Sequence, residues 1–263
     1  MSEVPPSIRH RHDMSHRVVH WKFRPHPLLR GGHLQTVIGI RLPVAARPYA
    51  ARRHFVAAEP RFDHEVGDQL VLHEDRPETW REGDPIVLLI HGLAGCHLSS
   101  YMVRVSDRLV SNGYCVYRMD MRGCGVGAHV AKGPTHCGRY EDALTAVNYL
   151  AEIHPSSPCL AIGFSLGGML ILNMLARCGA KRPGNYVDGL SICPPIDLFD
   201  VERRFDMRGG RPYDKFFTRL LWKQITRRWR RFPELLKVPE LVAAAPLARP
   251  RRLKQVDQWI IAP

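Results

Sequence analysis

The sequence predicts an α/β fold, a doubly wound and mostly parallel sheet with a helical insertion. Five consecutive aliphatic residues, Ile86–Ile90, form a run typical of a strand buried on both faces. From there to residue 193, strand-like and helix-like segments alternate at the spacing of βαβ units. A serine flanked by glycines, Gly163–Gly167, stands where one strand passes into a helix.

The elements follow in order along the chain. Residues 1–20 are polar and basic and are expected to be disordered, whereas residues 21–54 are expected to pack on the core. Alternating runs within Phe55–His73 predict antiparallel edge strands. The core, residues 55–200, continues with strands at Ile86–Ile90, Cys115–Met119, Cys159–Ile162 and Leu190–Cys193, and helices at Ser99–Asn112, Arg139–Ile153 and Leu166–Arg177.

Residues 201–257 predict a basic helical lid. Phe217, Leu221, Ile225 and Trp229 recur at i+4 spacing with arginines and lysines between them, which predicts an amphipathic helix over Phe216–Phe232. Beyond it, Trp259-Ile260-Ile261 is the one run that suggests a strand, and residues 258–263 are expected to begin a further portion of the core.

The net charge of +13 is unevenly distributed. Residues 1–61 carry +8 and residues 201–263 carry +10, whereas residues 62–200 carry −5. Basic flanks are typical of a surface for phosphate-bearing partners, either membrane lipid or nucleic acid. A solvated charged face that keeps the protein soluble explains the pattern equally well.

The composition excludes several classes of protein. Seven cysteines without a C-x-x-C pair argue against a disulfide framework and favour a reducing compartment. The N-terminal residues show no basic-then-apolar signal pattern. The uncharged stretch Cys159–Ala176 contains three glycines around a serine, so it predicts strand, turn and helix rather than a membrane span. We therefore expect a cytoplasmic protein, with peripheral membrane contact left open.

The serine motif carries the chemistry. A serine hydroxyl is a weak nucleophile and has to be exposed and activated by a base. In Gly163-Phe164-Ser165-Leu166-Gly167 the glycines leave room for a sharp strand-to-helix turn that presents Ser165, a nucleophile elbow. A glycine-rich turn with an idle serine is the alternative interpretation.

A second loop, His91-Gly92-Leu93-Ala94-Gly95, follows the Ile86–Ile90 strand directly. In α/β-hydrolases, whose nucleophile elbow the Ser165 motif resembles, the loop at that place supplies an oxyanion donor. This resemblance makes the backbone N–H groups of Leu93 and Leu166 the candidate oxyanion hole. His91 is expected to order this loop by hydrogen bonding.

Together these segments resemble the YheT-like (embryogenesis-associated) branch of α/β-hydrolases, a group of serine esterases related to acylglycerol lipases and phospholipases. The resemblance covers about Trp21 to Pro263. It is carried by Gly32-His33-Leu34-Gln35-Thr36, His91–Gly95, Met121–Gly125, His136–Asp142 and Gly163–Gly168. It implies an α/β-hydrolase fold with a helical lid, in which Ser165 is the catalytic nucleophile.

In that branch, the last strands and the acid and histidine of the triad follow a segment that resembles Val256–Pro263. We therefore expect the last strands to be missing and the triad to be truncated, because no histidine follows Ser165. Without a base, kcat should fall by about 10⁶.

Four residues are candidate substitutes for the missing acid and base. Asp197 and Asp200 follow a core strand, where some hydrolases place their acid, although the matching aspartate of this branch is not the triad acid. His129 and His136 lie in the loop after Cys115–Met119. They are either an alternative base or loop histidines bonded to backbone.

The sequence thus predicts a carboxylic-ester hydrolase that uses no cofactor and no metal. Phe216, Phe217, Trp222 and Trp229 suggest a small-molecule substrate with an apolar acyl chain. Contact of the basic lid with an anionic membrane is compatible with this interpretation, and nucleic acid is not an expected partner. The alternative is a catalytically inactive, truncated hydrolase whose basic flanks bind anionic lipid or nucleic acid. The sequence leaves the oligomeric state open.

Overall fold

The computed structural model describes residues 22, 24–39, 52–179, 182–238 and 249–260, of which residues 257–260 are described by their backbone alone. The predicted arm, residues 1–20, lies outside the described residues. The chain divides into two compact units, Met1–Leu42 and Pro43–Pro263. In the first unit, helix α1 (Gly32–Gly39) contains the His33–Thr36 element. Packing of residues 21–54 on the core stays a prediction.

Six strands of the second unit form one sheet with the order β1-β2-β4-β3-β5-β6. The strands are β1 (Arg52–Ala57), β2 (Gln69–Asp75), β3 (Ile86–Ile90), β4 (Cys115–Asp120), β5 (Cys159–Phe164) and β6 (Tyr186–Ile192). β1 and β2 pair antiparallel, as do β2 and β4, whereas the remaining pairs are parallel. The predicted mostly parallel sheet with an antiparallel edge is confirmed, although β1 begins at Arg52 rather than after residue 54.

The parallel strands set where functional loops meet. Every residue of β3 is buried, as the aliphatic run predicts, because this strand lies between β4 and β5. Ile90 is in register with Met119 on one side and Gly163 on the other. The carboxyl ends of β3, β4 and β5 therefore share one edge of the sheet, where ligands bind in open α/β sheets.

Helices cover both faces of this sheet, which makes it doubly wound. They are α2 (Ser100–Val110), α3 (Tyr140–Ile153) and α4 (Leu166–Cys178), each within two residues of its predicted ends. Alternate residues of β3 face opposite sides: Leu88 packs with Leu150 and Ile171, whereas Val87 packs with Met102. Two apolar cores result, one on each side of the sheet.

The last strand differs from its predicted bounds. β6 spans Tyr186–Ile192 instead of Leu190–Cys193, because its pairing with β5 continues through Asp188 and Gly189. Among the described strands, β6 pairs with β5 alone, so most of its residues are half-buried or exposed. A polar residue and a glycine are compatible with such an exposed position. The sequence pattern does not predict a strand over Asp188 and Gly189, because they interrupt the apolar run.

Residues 198–260 contribute helices α5 (Leu198–Asp206), α6 (Arg211–Arg231) and α7 (Leu253–Ile260). Helix α6 contains most of the predicted Phe216–Phe232 helix and begins five residues earlier. The predicted strand at Trp259-Ile260-Ile261 is wrong for its first two residues, which lie in α7. The apolar spacing of Leu253 and Val256 explains the helix, since both pack in one cluster with Leu221.

All seven cysteines are free thiols. Four are buried, Cys96 and Cys137 are partly buried, and Cys193, directly after β6, is exposed. Within the residues that the structure describes, no helix is long and apolar enough to cross a membrane.

Candidate active site

Ser165 lies at a strained turn between β5 and α4. Its backbone has φ +51° and ψ −112°, in the left-handed half of φ space that side chains rarely occupy. Its N–H donates to the carbonyl of Ile192, 2.9 Å away, and its side chain is exposed. This geometry matches that of a nucleophile elbow, a sharp and strained strand-to-helix turn that exposes the serine hydroxyl.

Glycines make the turn sterically feasible. A Cβ on Gly163 would overlap the carbonyl of Gly167, and a Cβ on Gly167 would overlap the carbonyl of Ile90. Neighbouring backbones therefore approach too closely for any side chain at either position, as the sequence motif predicts.

Backbone strain is concentrated at this edge of the sheet. Among the described residues, the non-glycine residues with positive φ are Ala94, Ser165 and Cys193. Each follows the carboxyl end of a strand, β3, β5 or β6, and these strands are neighbours. Strained backbone of this kind persists only where the surrounding structure holds it in place, and it clusters at active sites.

The loop after β3 passes beside Ser165. A Cβ on Gly92 would lie 3.2 Å from the Cβ of Ser165. The N–H groups of Leu93 and Leu166 donate to no acceptor within the described segments. For Leu166 this follows from its place at the start of α4, where helical N–H groups have no intrahelical partner. Two unpaired donors thus belong to the two segments that meet at Ser165.

Two side chains hold this loop. Tyr101 accepts a hydrogen bond from the Gly92 N–H (2.8 Å). His91 donates through Nδ1 to the Gly92 carbonyl (2.7 Å), and its Nε2 accepts from the Met121 N–H (3.3 Å). Burial lowers the pKa of His91. Both ring nitrogens are occupied, so His91 orders the loop, as predicted.

Asp120, at the end of β4, anchors the next part of the same loop. Its Oδ1 accepts from the backbone N–H of His97 (2.7 Å), and its Oδ2 is bonded to His97 Nδ1 (2.7 Å) and His73 Nε2 (3.0 Å). Burial acts to raise the pKa of Asp120, but the hydrogen bonds from the two histidines outweigh it and hold the pKa well below its usual range. Sequence reasoning missed this cluster, because its members are scattered along the chain.

His73, His97 and Asp120 are also the group of described residues whose ligand atoms lie close enough to hold a metal ion. The two imidazole rings are stacked, with centroids 3.5 Å apart and planes 9° from parallel. His73 Nε2 and His97 Nδ1 each form a hydrogen bond with Asp120 Oδ2, at 3.0 and 2.7 Å. The arrangement fits a hydrogen-bonded anchor.

A cavity of about 430 Å³ opens beside Ser165. Its walls come from the elbow, the loop at Leu93, and helices α5, α6 and α7, with apolar side chains including Leu198, Phe199, Phe205 and Phe217. Of the four aromatic residues proposed from the sequence, only Phe217 lines this cavity. Trp222 and Trp229 instead pack with Leu221 and Ile225.

His136 lies on the wall of the same cavity. Its Nδ1 accepts a hydrogen bond from the Gly138 N–H (3.2 Å), so in a neutral ring the proton sits on Nε2. Burial lowers the pKa of His136 to about 4, assisted by the positive charges of Arg139 and Arg61. Its bonding is that of a loop histidine tied to backbone.

The loop that carries His136 rests on a buried ionic network. Arg122 bonds to the carboxylates of Asp142 and Asp68, and Asp68 also accepts from the backbone N–H groups of Lys132 and Gly133. Arg139 pairs with the buried Glu65. A paired network of this kind fixes the loop in one position.

The remaining candidates lie elsewhere. Asp197 caps helix α5 by accepting from the Asp200 N–H (2.9 Å), and Asp200 pairs with Arg203 and Arg204. His129 is exposed and lines a different groove. Among the residues that the structure describes, the Ser165 hydroxyl has no hydrogen-bonded histidine.

The sequence matches the profile of the Alpha/beta hydrolase family over residues 87–262. Human Phospholipase ABHD3 is 37% identical over 103 residues, covering 38% of this chain and 24% of that protein. Putative esterase YheT of Escherichia coli (strain K12) is 25% identical over 230 residues, covering 88% of this chain and 64% of that protein. The chain thus spans about a quarter of the length of the phospholipase relative.

One of the solved structures that resemble this one is the Pyrococcus furiosus esterase Pf2001. It aligns with a TM-score of 0.45 at 24% identity, covering 59% of this chain and 55% of that one. The family match covers more than half of the sequence and includes the elbow, the loop after β3 and the parallel strands between them. The chain belongs to the Alpha/beta hydrolase family.

Proposed function

We propose that this protein is a carboxylic-ester hydrolase with Ser165 as nucleophile and the N–H groups of Leu93 and Leu166 as oxyanion hole. One observation carries the proposal: an exposed serine on a strained elbow stands beside two unpaired backbone donors at the mouth of an apolar cavity. Similarity to esterases and lipases, including the Monoacylglycerol lipase of Mycolicibacterium smegmatis (strain ATCC 700084 / mc(2)155) at 30% identity, supports the reaction class.

In the proposed reaction, Ser165 Oγ attacks the ester carbonyl carbon and the carbonyl oxygen becomes an oxyanion. The two N–H donors stabilise that charge, and losing one donor of this kind typically costs about 10²–10³ in rate. The C–O bond then breaks, and the alcohol leaves with the proton that Ser165 Oγ has lost. Water next attacks the acyl–Ser165 ester, which gives the carboxylic acid and returns a proton to Oγ. An apolar acyl chain lies along Phe199, Phe205 and Phe217 in the cavity.

The proposed substrate class is an acyl ester of a lipid-like alcohol, which similarity to Phospholipase ABHD3 and to a Monoacylglycerol lipase supports. Helix α6 exposes Lys223, Arg227, Arg230 and Arg231 along one groove. Near an anionic membrane, each basic residue of such a surface contributes about 1 kcal/mol of favourable binding free energy. Peripheral contact with anionic lipid is therefore part of the proposal.

The test is covalent labelling with a fluorophosphonate, which reacts with an activated serine. We expect the wild-type chain to be labelled and Ser165→Ala to lose the label. Ser156→Ala, which removes an exposed serine outside the cavity, should label as the wild type does. Hydrolysis of p-nitrophenyl esters of increasing acyl length, measured on the same preparations, reports turnover and chain preference.

A second candidate function is favoured by one observation. The Ser165 hydroxyl is bonded to no histidine in the described ranges, so a protein of this fold that binds lipid without turnover is the alternative. A folded wild-type chain that neither labels nor hydrolyses any ester, yet binds anionic vesicles, would establish this alternative and exclude the esterase.

A further inference from the structure

A strongly basic groove of about 780 Å³ lies on the other side of the loop after β3. One wall is that loop at Ala94–Cys96, a second is the turn after β4 at Gly123–His129, and the third is helix α6. The helix contributes Lys223, Arg227, Arg228, Arg230 and Arg231. None of the described residues that line the groove is acidic, so this part of the wall supplies no negative charge to balance the basic side chains.

Arg228 is the unusual member of this set. It is only 7% exposed, whereas Lys223, Arg227, Arg230 and Arg231 are solvent-exposed. Its Nε is buried and has no hydrogen-bond partner, and its guanidinium forms no ion pair with any described residue. Buried charges are almost always paired, because removing a charge from water without compensation is costly.

The neighbouring carboxylates are already occupied. Asp68 and Glu65 act on Arg228 electrostatically, but Asp68 is bonded to Arg122 and to two backbone N–H groups. Glu65 is bonded to Arg139 and to the Arg61 N–H. Burial lowers the pKa of Arg228 to about 10, which still leaves it charged at neutral pH. Among the residues that the structure describes, this buried cation therefore has no counter-charge of its own.

We propose that this groove is a phosphate-binding site, with Arg228 at its base and Lys223, Arg227, Arg230 and Arg231 around its rim. A phosphate group matches the donors that are present, because guanidinium groups bind phosphate oxygens through charge-assisted, often bidentate hydrogen bonds. Several cations around one opening suit a dianion better than a single carboxylate.

The site also has a defined relation to the elbow. Leu93 lines the cavity at Ser165, whereas the next residues, Ala94–Cys96, line the basic groove. The two spaces lie on either side of one loop, so an ester whose alcohol part carries a phosphate would reach both. Phosphate binding does not depend on the esterase activity; recognition of a phosphorylated substrate rests on the proposed function.

The test measures binding without turnover. Inorganic phosphate and glycerol 3-phosphate are titrated into the full chain by calorimetry at an ionic strength near 0.15 M, where attraction between exposed charges is screened beyond about 8 Å. We expect Arg228→Met to weaken both ligands at least about tenfold, the loss of one charge-assisted hydrogen bond. Arg219→Met removes the same charge from the same helix outside the groove and should bind as the wild type does.

Thermal unfolding without ligand keeps this test interpretable. Methionine fills much of the arginine's volume and removes an unpaired buried charge, so Arg228→Met should fold with a Tm no lower than the wild type. If neither probe binds the wild type, or if Arg228→Met and Arg219→Met bind alike, the phosphate site is excluded.

Vesicles distinguish a lipid headgroup from a free phosphate. Wild type, Arg228→Met and Arg219→Met are sedimented with phosphatidylcholine vesicles with or without phosphatidic acid. Loss of phosphatidic acid binding in Arg228→Met alone supports the groove and identifies a headgroup as a ligand. Equal, salt-sensitive binding of all three proteins indicates attraction to the whole basic surface and contradicts the proposed site. Neither result depends on Ser165, so failure of the esterase proposal remains separately visible.

Discussion

At the scale of single residues, the elbow depends on positions where no side chain fits. Gly163→Ala places a methyl group against the Gly167 backbone, which has no flexible end to move away. We expect a loss of about 1–3 kcal/mol in unfolding free energy, the usual cost of overpacking, together with slower fluorophosphonate labelling. Gly184→Ala is the matched control, because a Cβ there meets nothing within 4 Å. Urea unfolding of both variants makes the comparison, and equal stability would contradict the elbow geometry.

Asp120 is the second residue whose replacement is informative. In Asp120→Asn an N–H₂ group replaces one carboxylate oxygen and faces the donors of His73, His97 or Val126. Because the site is buried, we expect the unfolding free energy to fall by about 3–5 kcal/mol.

Asp63→Asn, at an exposed position, should change stability by less than about 0.5 kcal/mol. Chemical denaturation of both proteins measures the difference. If Asp120→Asn were as stable as the control, the cluster would not anchor the loop.

At the scale of elements, α7 is attached to α6 through Asp214. This aspartate is 3% exposed, and its Oδ1 accepts from the Leu253 N–H (2.7 Å) at the start of α7, while Oδ2 pairs with Arg252. The side chain of one helix thus caps another, and Asp214→Ala should cost about 0.5–2 kcal/mol locally.

Hydrogen exchange of the amides of Leu253–Ile260 measures this effect directly. We expect faster exchange in α7 and little change in β3. Glu202→Ala removes a surface partner of Lys254 at 3.9 Å, and such exposed pairs contribute little, so α7 should exchange at its original rate. Equally fast exchange in both variants would contradict the conclusion that Asp214 in particular attaches α7 to α6.

The sequence predicted the elements that local pattern determines. The Ile86–Ile90 strand and helices α2, α3 and α4 follow from apolar periodicity and from glycines at their ends. It did not predict that β6 runs through Asp188 and Gly189, because an edge position is a property of the whole sheet. It also assigned Trp259-Ile260 to a strand, where packing of Val256 against α6 favours a helix.

The candidate site divides in the same way. Ser165, Leu93 and Leu166 could be named as candidates from the sequence because the elbow and its partner loop are short contiguous motifs. Asp120 with His73 and His97, and the unpaired Arg228, were not found, because tertiary packing brings them together or buries them. The cavity's aromatic residues were only partly predicted, since spacing along α6 does not reveal that Trp222 faces α7 rather than the cavity.

At the scale of the whole molecule, stability should fall as the pH is lowered below 6.5. Burial lowers the pKa of His73 and His91, and lowers that of His136 to about 4 from its ordinary 6.5. Between these two values the unfolded chain binds protons that the folded chain does not, so protons favour unfolding. The low pKa of Asp120 acts at lower pH, below its ordinary 3.8.

Unfolding free energies between pH 7.5 and pH 4, by about half-unit steps, measure this slope. His136→Gln should flatten part of it, since glutamine has no proton to gain. A wild-type stability that stays flat over this range would contradict the burial of all three imidazoles.

The strained backbone after β6 has a practical consequence. Cys193 presents its thiol to solvent, whereas burial raises the pKa of Cys115, Cys124 and Cys159 to about 12 and keeps those sulfurs protonated and unreactive. A maleimide dye will therefore attach preferentially at Cys193, without mutagenesis. Because its strand neighbours the one that ends at the elbow, the fluorophore would report occupancy of the adjoining crevice in real time.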